Sequence, residues 1–335
     1  MNQITVAVDA PGGDRGEAAT LPGCVLALEE DPALHLQLVG SDRSLEPWQS
    51  QLIESQAERI SVVPSDEVVA MDESVGDALR RRTRSSMGRA LQLVFEGSAG
   101  AMVSSGNTGA LMALARSLLK MLPGVERPAI CAALPSRQGH TLALDLGANA
   151  TVEADHLYQF AHMGVALARV SRDSENPRVG LLNIGTESLK GNDTVRRANQ
   201  LLSATQLNYQ GYAEGHDIFL ADLDVVVCDG FSGNVALKCS EGISKLVFEE
   251  LNGLKQSSLT GRAAAAAARP AFQMLKTRFD PNRYNGASLL GLSGVVVKSH
   301  GSAGPEAFAN AISTAAQQAR GALADRISAE LVDLL

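Results

Sequence analysis

Short apolar runs that end repeatedly in glycine and asparagine are the feature that most constrains this chain. Asp9-Ala10-Pro11-Gly12-Gly13-Asp14, Ser104-Ser105-Gly106-Asn107-Thr108-Gly109, Asp145-Leu146-Gly147-Ala148-Asn149, Asn183-Ile184-Gly185-Thr186-Glu187 and Asp229-Gly230-Phe231-Ser232-Gly233-Asn234 each follow such a run. Glycine lets the backbone turn with positive φ and brings N–H groups close to a ligand, while Asn, Ser and Thr add short polar side chains there. Loops of that composition suit anions. In an open parallel sheet the loops leaving the carboxyl ends of the strands share one rim. The five signatures are therefore expected to converge on a single cleft, and the pattern points to an enzyme.

The runs themselves read as strands, at 4–8, 34–39, 59–63, 101–103, 141–144, 179–182, 224–228 and 294–298. Several are apolar throughout, as strands covered on both faces must be. Between them, 110–121, 155–170, 193–204, 234–252 and 306–335 carry apolar residues at three- and four-residue spacing, the mark of amphipathic helices. Strand then helix, repeated, predicts right-handed βαβ units and a three-layer αβα sandwich around a mostly parallel sheet.

The chain has 335 residues and no Pro/Ser-rich linker, so it is expected to form one large α/β domain, 1–335, or two intimately joined lobes. A formal net charge of -8 argues against nucleic acid, whose phosphates need a broadly basic face. Cys24, Cys131, Cys228 and Cys239 show no CxxC spacing, and the first residues have neither a basic n-region nor an apolar h-region. A reduced, cytoplasmic protein is expected. No apolar run approaches the ~20 residues that cross a bilayer, so membrane contact would be peripheral. The six histidines form no HxxxH pair, and no metal is predicted.

Two stretches break the pattern. The segment at about 253–280 holds the alanine run 263–268 and then Arg269-Pro270. Alanine favours helix but buries little, and Pro270 forces a break, so a projecting helical hairpin is expected, either a surface or dimer-contact pair or a membrane or partner contact. The other is Arg80-Arg81-Arg82-Thr83-Arg84-Ser85-Ser86 in an otherwise acidic chain. It reads either as a solvated face or as a docking site for an acidic or phosphate-bearing partner, because guanidinium forks bind phosphate oxygens in pairs.

The loops also exclude chemistry. The turn after the first strand is not GxGxxG and no GxxxxGK[ST] occurs, so neither NAD nor ATP is signalled and no cofactor is predicted. There is no GxSxG elbow, which makes direct transfer in a ternary complex more economical than an acyl-serine. Asp, Asn, Thr, Lys190 and His300 beside flexible backbone could hold a small oxyanion and polarise a carbonyl. Each has a structural reading as well: Asp9 and Asp145 as turn caps, Asn149 as a helix start, His300 as a packed residue at a strand end.

At this point the motifs carry a resemblance. AVDAPGGD at 7–14, RRRTRSSM at 80–87, SSGNTGALM at 104–112, ERPAI at 126–130 and LDLGAN at 144–149 resemble, in order, those of the bacterial phosphate acyltransferases of the PlsX type. The likeness continues through VGLLNIGTESLKGN at 179–192, DVVVCDGFSGNVALK at 224–238, YNGASLLGL at 284–292 and VVKSHGSA at 296–303, so it spans essentially the whole chain. Pro11 stands where the family usually has Met, which stiffens the first loop.

The resemblance implies attack of inorganic phosphate on the thioester of a long-chain acyl group carried by acyl carrier protein, giving acyl phosphate for phospholipid synthesis. It implies a homodimer with a fold like the isocitrate and isopropylmalate dehydrogenases, peripheral association with the inner face of the membrane, and a membrane glycerol-3-phosphate acyltransferase as the next partner. A phosphotransacetylase-like reaction with short acyl-CoA and a non-catalytic carrier-protein or membrane scaffold are the alternatives. Catalytic roles are expected for Lys190, His300, Asn183, Asp229 and Lys298. Substrate contacts are expected from Asp9, Gly12, Gly13, Asp14, Ser105, Gly106, Asn107, Thr108, Asp145, Gly147, Asn149, Gly185, Thr186, Asn192, Gly230, Asn234 and Asn285. Phosphate is placed near Ser105, Gly106, Asn107 and Thr108, at a helix N-terminus. Arg80, Arg81, Arg82 and Arg84 would dock the carrier protein, and the hairpin would touch the membrane.

Overall fold

One twisted sheet runs through the whole molecule. The computed structural model describes residues 2–332 apart from 82, 173, 254–267, 269, 271–273, 275–277 and 279. Among the described residues the strands are β1 (Ile4–Asp9), β2 (Leu34–Gly40), β3 (Ile60–Pro64), β4 (Ala101–Ser104), β5 (Ala129–Ser136), β6 (Gly139–Leu144), β7 (Arg178–Leu182), β8 (Asn208–Ala213), β9 (Val225–Val227), β10 (Ala287–Leu290) and β11 (Val295–Lys298). Their order across the sheet is β3-β2-β1-β4-β11-β10-β5-β6-β9-β7-β8. Helices α1 (Glu17–Glu30), α2 (Asp42–Gln49), α3 (Glu54–Ala57), α4 (Val75–Arg81), α5 (Ser86–Phe95), α6 (Thr108–Leu118), α7 (Ala154–Ser171), α8 (Asp193–Ser203), α9 (Asp217–Leu220), α10 (Gly230–Gly253), α11 (Pro305–Arg320) and α12 (Leu323–Val332) flank it.

Alternation within the central strands shows why the sheet needs cover on both faces. Val6 and Val8 of β1 join the core formed with α1, α7 and α11, whereas Ala7 between them faces α5 and α6. Ala101 and Val103 of β4, and Val295 and Val297 of β11, likewise face the first core, with Met102 and Val296 in the second. Each fully buried Val or Leu is worth roughly 1.5–3 kcal/mol relative to exposure, so the three strands together anchor the fold. The three-layer αβα arrangement is therefore present, as the alternating pattern requires.

The direction of the strands departs from the simplest expectation. β1, β2, β3, β4 and β11 are parallel, β10 is antiparallel to both β11 and β5, and β5 is antiparallel to β6. β6, β9, β7 and β8 are then parallel with one another. Three reversals leave this second set running opposite to the first, so the loops that follow β6, β7 and β9 leave the sheet at the other edge from those after β1, β4 and β11. The glycine loops do not all share one rim.

The helical pattern read over 306–335 is two helices, α11 and α12, separated at Gly321 and Ala322, where Ala322 has φ 49°. The expected hairpin at about 253–280 lies almost wholly outside the described residues. Among the described residues no helix is long and apolar enough to cross a membrane.

Candidate active site

The ends of β1, β4 and β11 meet at one buried polar knot. Asp9, the last residue of β1, is fully enclosed. Its Oδ1 accepts from Ser86 Oγ and its Oδ2 from Ser104 Oγ, each at 2.6 Å. Burial pushes the Asp9 carboxyl up, against the opposing pull of those two hydroxyls and of the Lys298 ammonium. After Asp9 the chain turns through Pro11, Gly12 and Gly13, and the Asp14 N–H donates to the Gly301 carbonyl at 2.9 Å. Gly13 has φ 89°, and a Cβ there would stand 2.6 Å from Ser105 Oγ, so only glycine lets this loop lie against the β4 loop.

From β4 the chain passes through Ser105 and Gly106 into α6. Ser105 Oγ donates to the Gly12 carbonyl at 2.7 Å, and the Gly106 N–H donates to Ser104 Oγ at 3.0 Å. Asn107 caps the helix, its Oδ1 accepting the Ala110 N–H at 3.0 Å. Its amide group also donates to the carbonyls of Met71 and Glu73, at 2.8 and 3.1 Å. Asn107 thus ties the helix opening to the segment that crosses in front of it. The first turn of α6 presents N–H groups and the positive end of the helix dipole at this point.

Lys298 closes the knot from β11. It is buried, and its Nζ donates to the carbonyls of Ser105 (3.2 Å) and Ser299. Among the described residues these carbonyls take two of the ammonium's three donors. Burial pulls its pKa from 10.5 down to about 8, partly offset by the carboxylates of Asp14 and Asp9. Asn285, just before β10, holds the next residues: its Nδ2 donates to Ser299 Oγ at 2.8 Å and its Oδ1 accepts the His300 N–H at 2.9 Å. His300 is exposed, with Nδ1 2.9 Å from Ser302 Oγ. A groove of about 590 Å³ lined by Gly139, Met274, Arg278, Arg283 and Tyr284 adjoins this corner in sequence at Tyr284.

The structure therefore brings together Asp9, Gly12, Gly13, Asp14, Ser105, Gly106, Asn107, Thr108, Asn285, Lys298 and His300. It places the other candidates in two further groups. Asp145 is fully buried, its Oδ1 accepting the N–H groups of Ile130, Gly147 and Ala148 and its Oδ2 accepting both the backbone N–H and the side-chain amide of Asn149. With every lone-pair direction occupied, this carboxylate organises the loop. Gly230 packs against it, since a Cβ there would lie 2.7 Å from Asp145 Oδ2. Asp229 caps the start of α10 through the Ser232 N–H and hydroxyl, at 2.8 and 2.7 Å, and Asn234 lies inside that helix rather than in the loop before it.

The third group follows β7. Asn183 donates to the Gly185 carbonyl at 3.0 Å, Asn192 caps α8 through the Val195 N–H at 2.8 Å, and Thr186 and Lys190 are exposed on the loop between them. Both groups lie beyond the strand reversal, at the other edge from Lys298. Among the described residues no group of three or more His, Cys, Asp and Glu could hold a metal.

The arginine segment is less free than its sequence suggests. Arg81 pairs with Glu73 and, at 3.9 Å, with Glu67; Arg84 lies 3.5 Å from Glu67; and Arg80 pairs with Asp77. Arg82 lies outside the described residues. The acidic partners are read easily in the sequence once the segment is known to fold back on itself. Ser86, Ser104 and Ser299 are neighbours of the site that sequence reasoning missed, although all three stand in quoted motifs: a buried carboxylate needs donors, and Ser86 and Ser104 supply them to Asp9.

With this geometry in place, comparisons with known proteins become informative. The family model described as fatty acid synthesis protein matches residues 4–326. The chain is 48% identical over 330 residues to the phosphate acyltransferase of Methylococcus capsulatus, covering 98% of this chain and 97% of that protein. It is 50% identical over 327 residues to the phosphate acyltransferase of Dichelobacter nodosus, covering 97% and 94%. Among solved structures, a phosphotransacetylase from Streptococcus pyogenes has a TM-score of 0.65 at 17% identity, over 95% of this chain and 94% of that one. A 4-hydroxythreonine-4-phosphate dehydrogenase structure from Salmonella typhimurium has 0.54 at 15%, over 95% and 99%. At such identities these two speak for the fold alone.

Proposed function

The chain belongs to the fatty acid synthesis protein family of phosphate acyltransferases, and we propose that its acyl donor is a long-chain thioester of acyl carrier protein. The reaction it catalyses is acyl transfer to phosphate. An oxygen of inorganic phosphate attacks the thioester carbon, the carbonyl oxygen takes up negative charge, and the carbon–sulfur bond then breaks. The products are acyl phosphate and the carrier thiolate, which takes a proton. Phosphate is already a nucleophile at neutral pH and thiolate leaves readily, so the protein's task is to hold, desolvate and aim.

The observation that carries this reading is the buried Lys298 ammonium beside the N-terminus of α6. A cation and a helix N-terminus lie side by side there, with the Gly12–Gly13 turn packed against Ser105, a combination that favours an anion. In this proposal phosphate sits before Ser105, Gly106, Asn107 and Thr108, and Lys298 rather than Lys190 neutralises it. Asn107 positions the loop through its cap and the Met71 carbonyl. His300, held at Nδ1 by Ser302, uses its other ring nitrogen to polarise the thioester carbonyl or to protonate the departing sulfur. Asp9 and Asp14 orient the cation and do not act as bases. Asp145, Asn149, Gly147, Asp229, Gly230, Asn183, Gly185, Thr186, Asn192 and Lys190 shape the loops that follow β6, β7 and β9.

The exposed Arg80 and Arg84 would meet the acidic carrier protein, with Arg81 holding the segment in place through Glu73. A homodimer is supported by Phe231, Val235, Ile243, Leu246 and Val247 on α10, which are large apolar side chains left exposed. Acyl phosphate is a lipid precursor, so we place the protein in the cytoplasm at the inner face of the membrane, where a glycerol-3-phosphate acyltransferase would take the product.

The test is acyl-phosphate formation by the purified protein, trapped with hydroxylamine, from palmitoyl carrier protein and from acetyl-CoA. Product from the carrier substrate supports the proposal. Product from acetyl-CoA alone moves the donor to short acyl-CoA, and product from neither leaves a scaffold role.

A further inference from the structure

An apolar strip beside the opening of α6 has no part in the chemistry described so far. The segment held by the Asn107 amide runs into α4, which packs along α6. Met71 Cε lies 2.8 Å from where a Cβ on Gly301 would stand, next to His300. Val75 Cγ2 lies 3.4 Å from the corresponding point on Gly109, in the first turn of α6. Leu79 follows four residues after Val75, on the same face of α4. Met71, Val75 and Leu79 are 40%, 41% and 37% exposed, while the neighbouring Val69 and Ala78 are buried. Gly109 is exposed and has no side chain to fill the space beside Val75.

We propose that Met71, Val75 and Leu79, with Gly109 as the floor between them, form the subsite for the acyl chain of the thioester. The inference rests on the acyl-transfer reading above and goes beyond it by naming where the hydrocarbon lies. Phosphate at the start of α6 fixes the thioester carbon within ~3–3.5 Å of a phosphate oxygen. The first methylenes of the chain must then lie on the surface next to Asn107 and Gly301, and that surface is the Met71 side chain, with Val75 next along the strip beside Gly109. Methionine adapts to an irregular or variable chain. Leu79 extends the strip by one helical turn, about 5.4 Å, room for several more methylenes. A short acyl group would not reach it.

The test compares turnover of palmitoyl and butyryl carrier protein by the wild-type protein, by the double variant Val75→Gln/Leu79→Gln and by Gly109→Leu. All three positions are exposed enough for the substitutions to be tolerated, and an unchanged melting transition confirms it. The palmitoyl kcat/KM should fall about tenfold in the double variant while the butyryl value stays within about twofold, because only the long chain loses apolar contact. Gly109→Leu, which fills the floor, should lower the palmitoyl-to-butyryl ratio in the same direction. An unchanged ratio, or equal losses on both substrates, overturns the subsite and leaves acyl transfer standing. A change of oligomeric state without a change of ratio means a second copy covers the strip and also overturns it. A wild-type protein that yields no acyl phosphate from either substrate overturns the acyl-transfer reading, and the subsite falls with it.

Discussion

Ser86 Oγ donates to Asp9 Oδ1 at 2.6 Å, so the residue that follows the arginine segment is fastened to the buried end of β1. The same carboxylate holds Ser104 at the head of the phosphate loop. One side chain therefore sets the spacing between the surface expected to receive the carrier and the site expected to hold phosphate. Removing a single hydroxyl, as in Ser86→Ala, should cost about 1 kcal/mol. Asp9→Ala leaves the buried Ser86 and Ser104 hydroxyls without their acceptor and removes a negative charge near the Lys298 ammonium, and should cost about 3 kcal/mol or more. Urea midpoints of the two variants check the ranking, which fails if Asp9→Ala is as stable as the wild type.

Lys298 gives a pH dependence of definite sign. Its folded pKa is about 8 against 10.5 in the unfolded chain, so the unfolded state binds more protons between those values and the Lys298 contribution to stability rises with pH across that window. Activity should move the other way, since a neutral amine cannot neutralise phosphate: kcat/KM for phosphate should fall as pH passes about 8. In Lys298→Arg the alkaline limb should vanish, because guanidinium keeps its charge. A limb that persists in that variant belongs to another group.

The arginines divide into two kinds. Arg80→Glu reverses an exposed charge and should slow carrier encounter, raising the carrier KM several-fold at low salt and much less at high salt. Arg81→Ala should instead loosen the 65–85 segment, because it removes the partner that holds the Glu73 carboxyl below the usual range. Hydrogen exchange across residues 67–75 distinguishes the two: faster in the Arg81 variant, unchanged in the Arg80 variant.

Asn107 is the other tether of that segment. Asn107→Ala removes a helix cap and two amide donors, and a cap alone is worth about 1 kcal/mol. Exchange should accelerate at the first turn of α6 and at residues 71–75 together. Faster exchange in α6 alone would show that the segment is held by other contacts.

Much of the fold was legible in the sequence because buried parallel strands are apolar on both faces: β1, β2, β3, β4, β6, β7, β9 and β11 are all foreshadowed as runs. The missed strands are those whose environment differs. β8, Asn208-Tyr209-Gln210-Gly211-Tyr212-Ala213, lies at the sheet edge, mostly half-buried, and reads as polar. β5 and β10 are the antiparallel insertions, and β5 is rich in small residues that signal neither period. Missing them hid the reversal that sends the loops after β6, β7 and β9 to the other edge. A motif shows which loops carry glycine and asparagine; strand direction decides which of them can meet. For the same reason the sequence does not separate Lys298 from Lys190, whereas in the fold Lys298 reaches Ser105.

The most direct measurement is phosphate saturation at fixed acyl carrier protein thioester for Lys298→Met beside Lys190→Ala. With phosphate bound between Lys298 and the start of α6, Lys298→Met should raise the phosphate KM about tenfold or more while the carrier KM changes little, since a charge-assisted contact to a buried anion is worth about 1.5–3 kcal/mol. Lys190→Ala should leave phosphate saturation nearly unchanged. An unaltered phosphate KM in Lys298→Met together with a large increase in Lys190→Ala would contradict the account and move the phosphate site to the loop after β7.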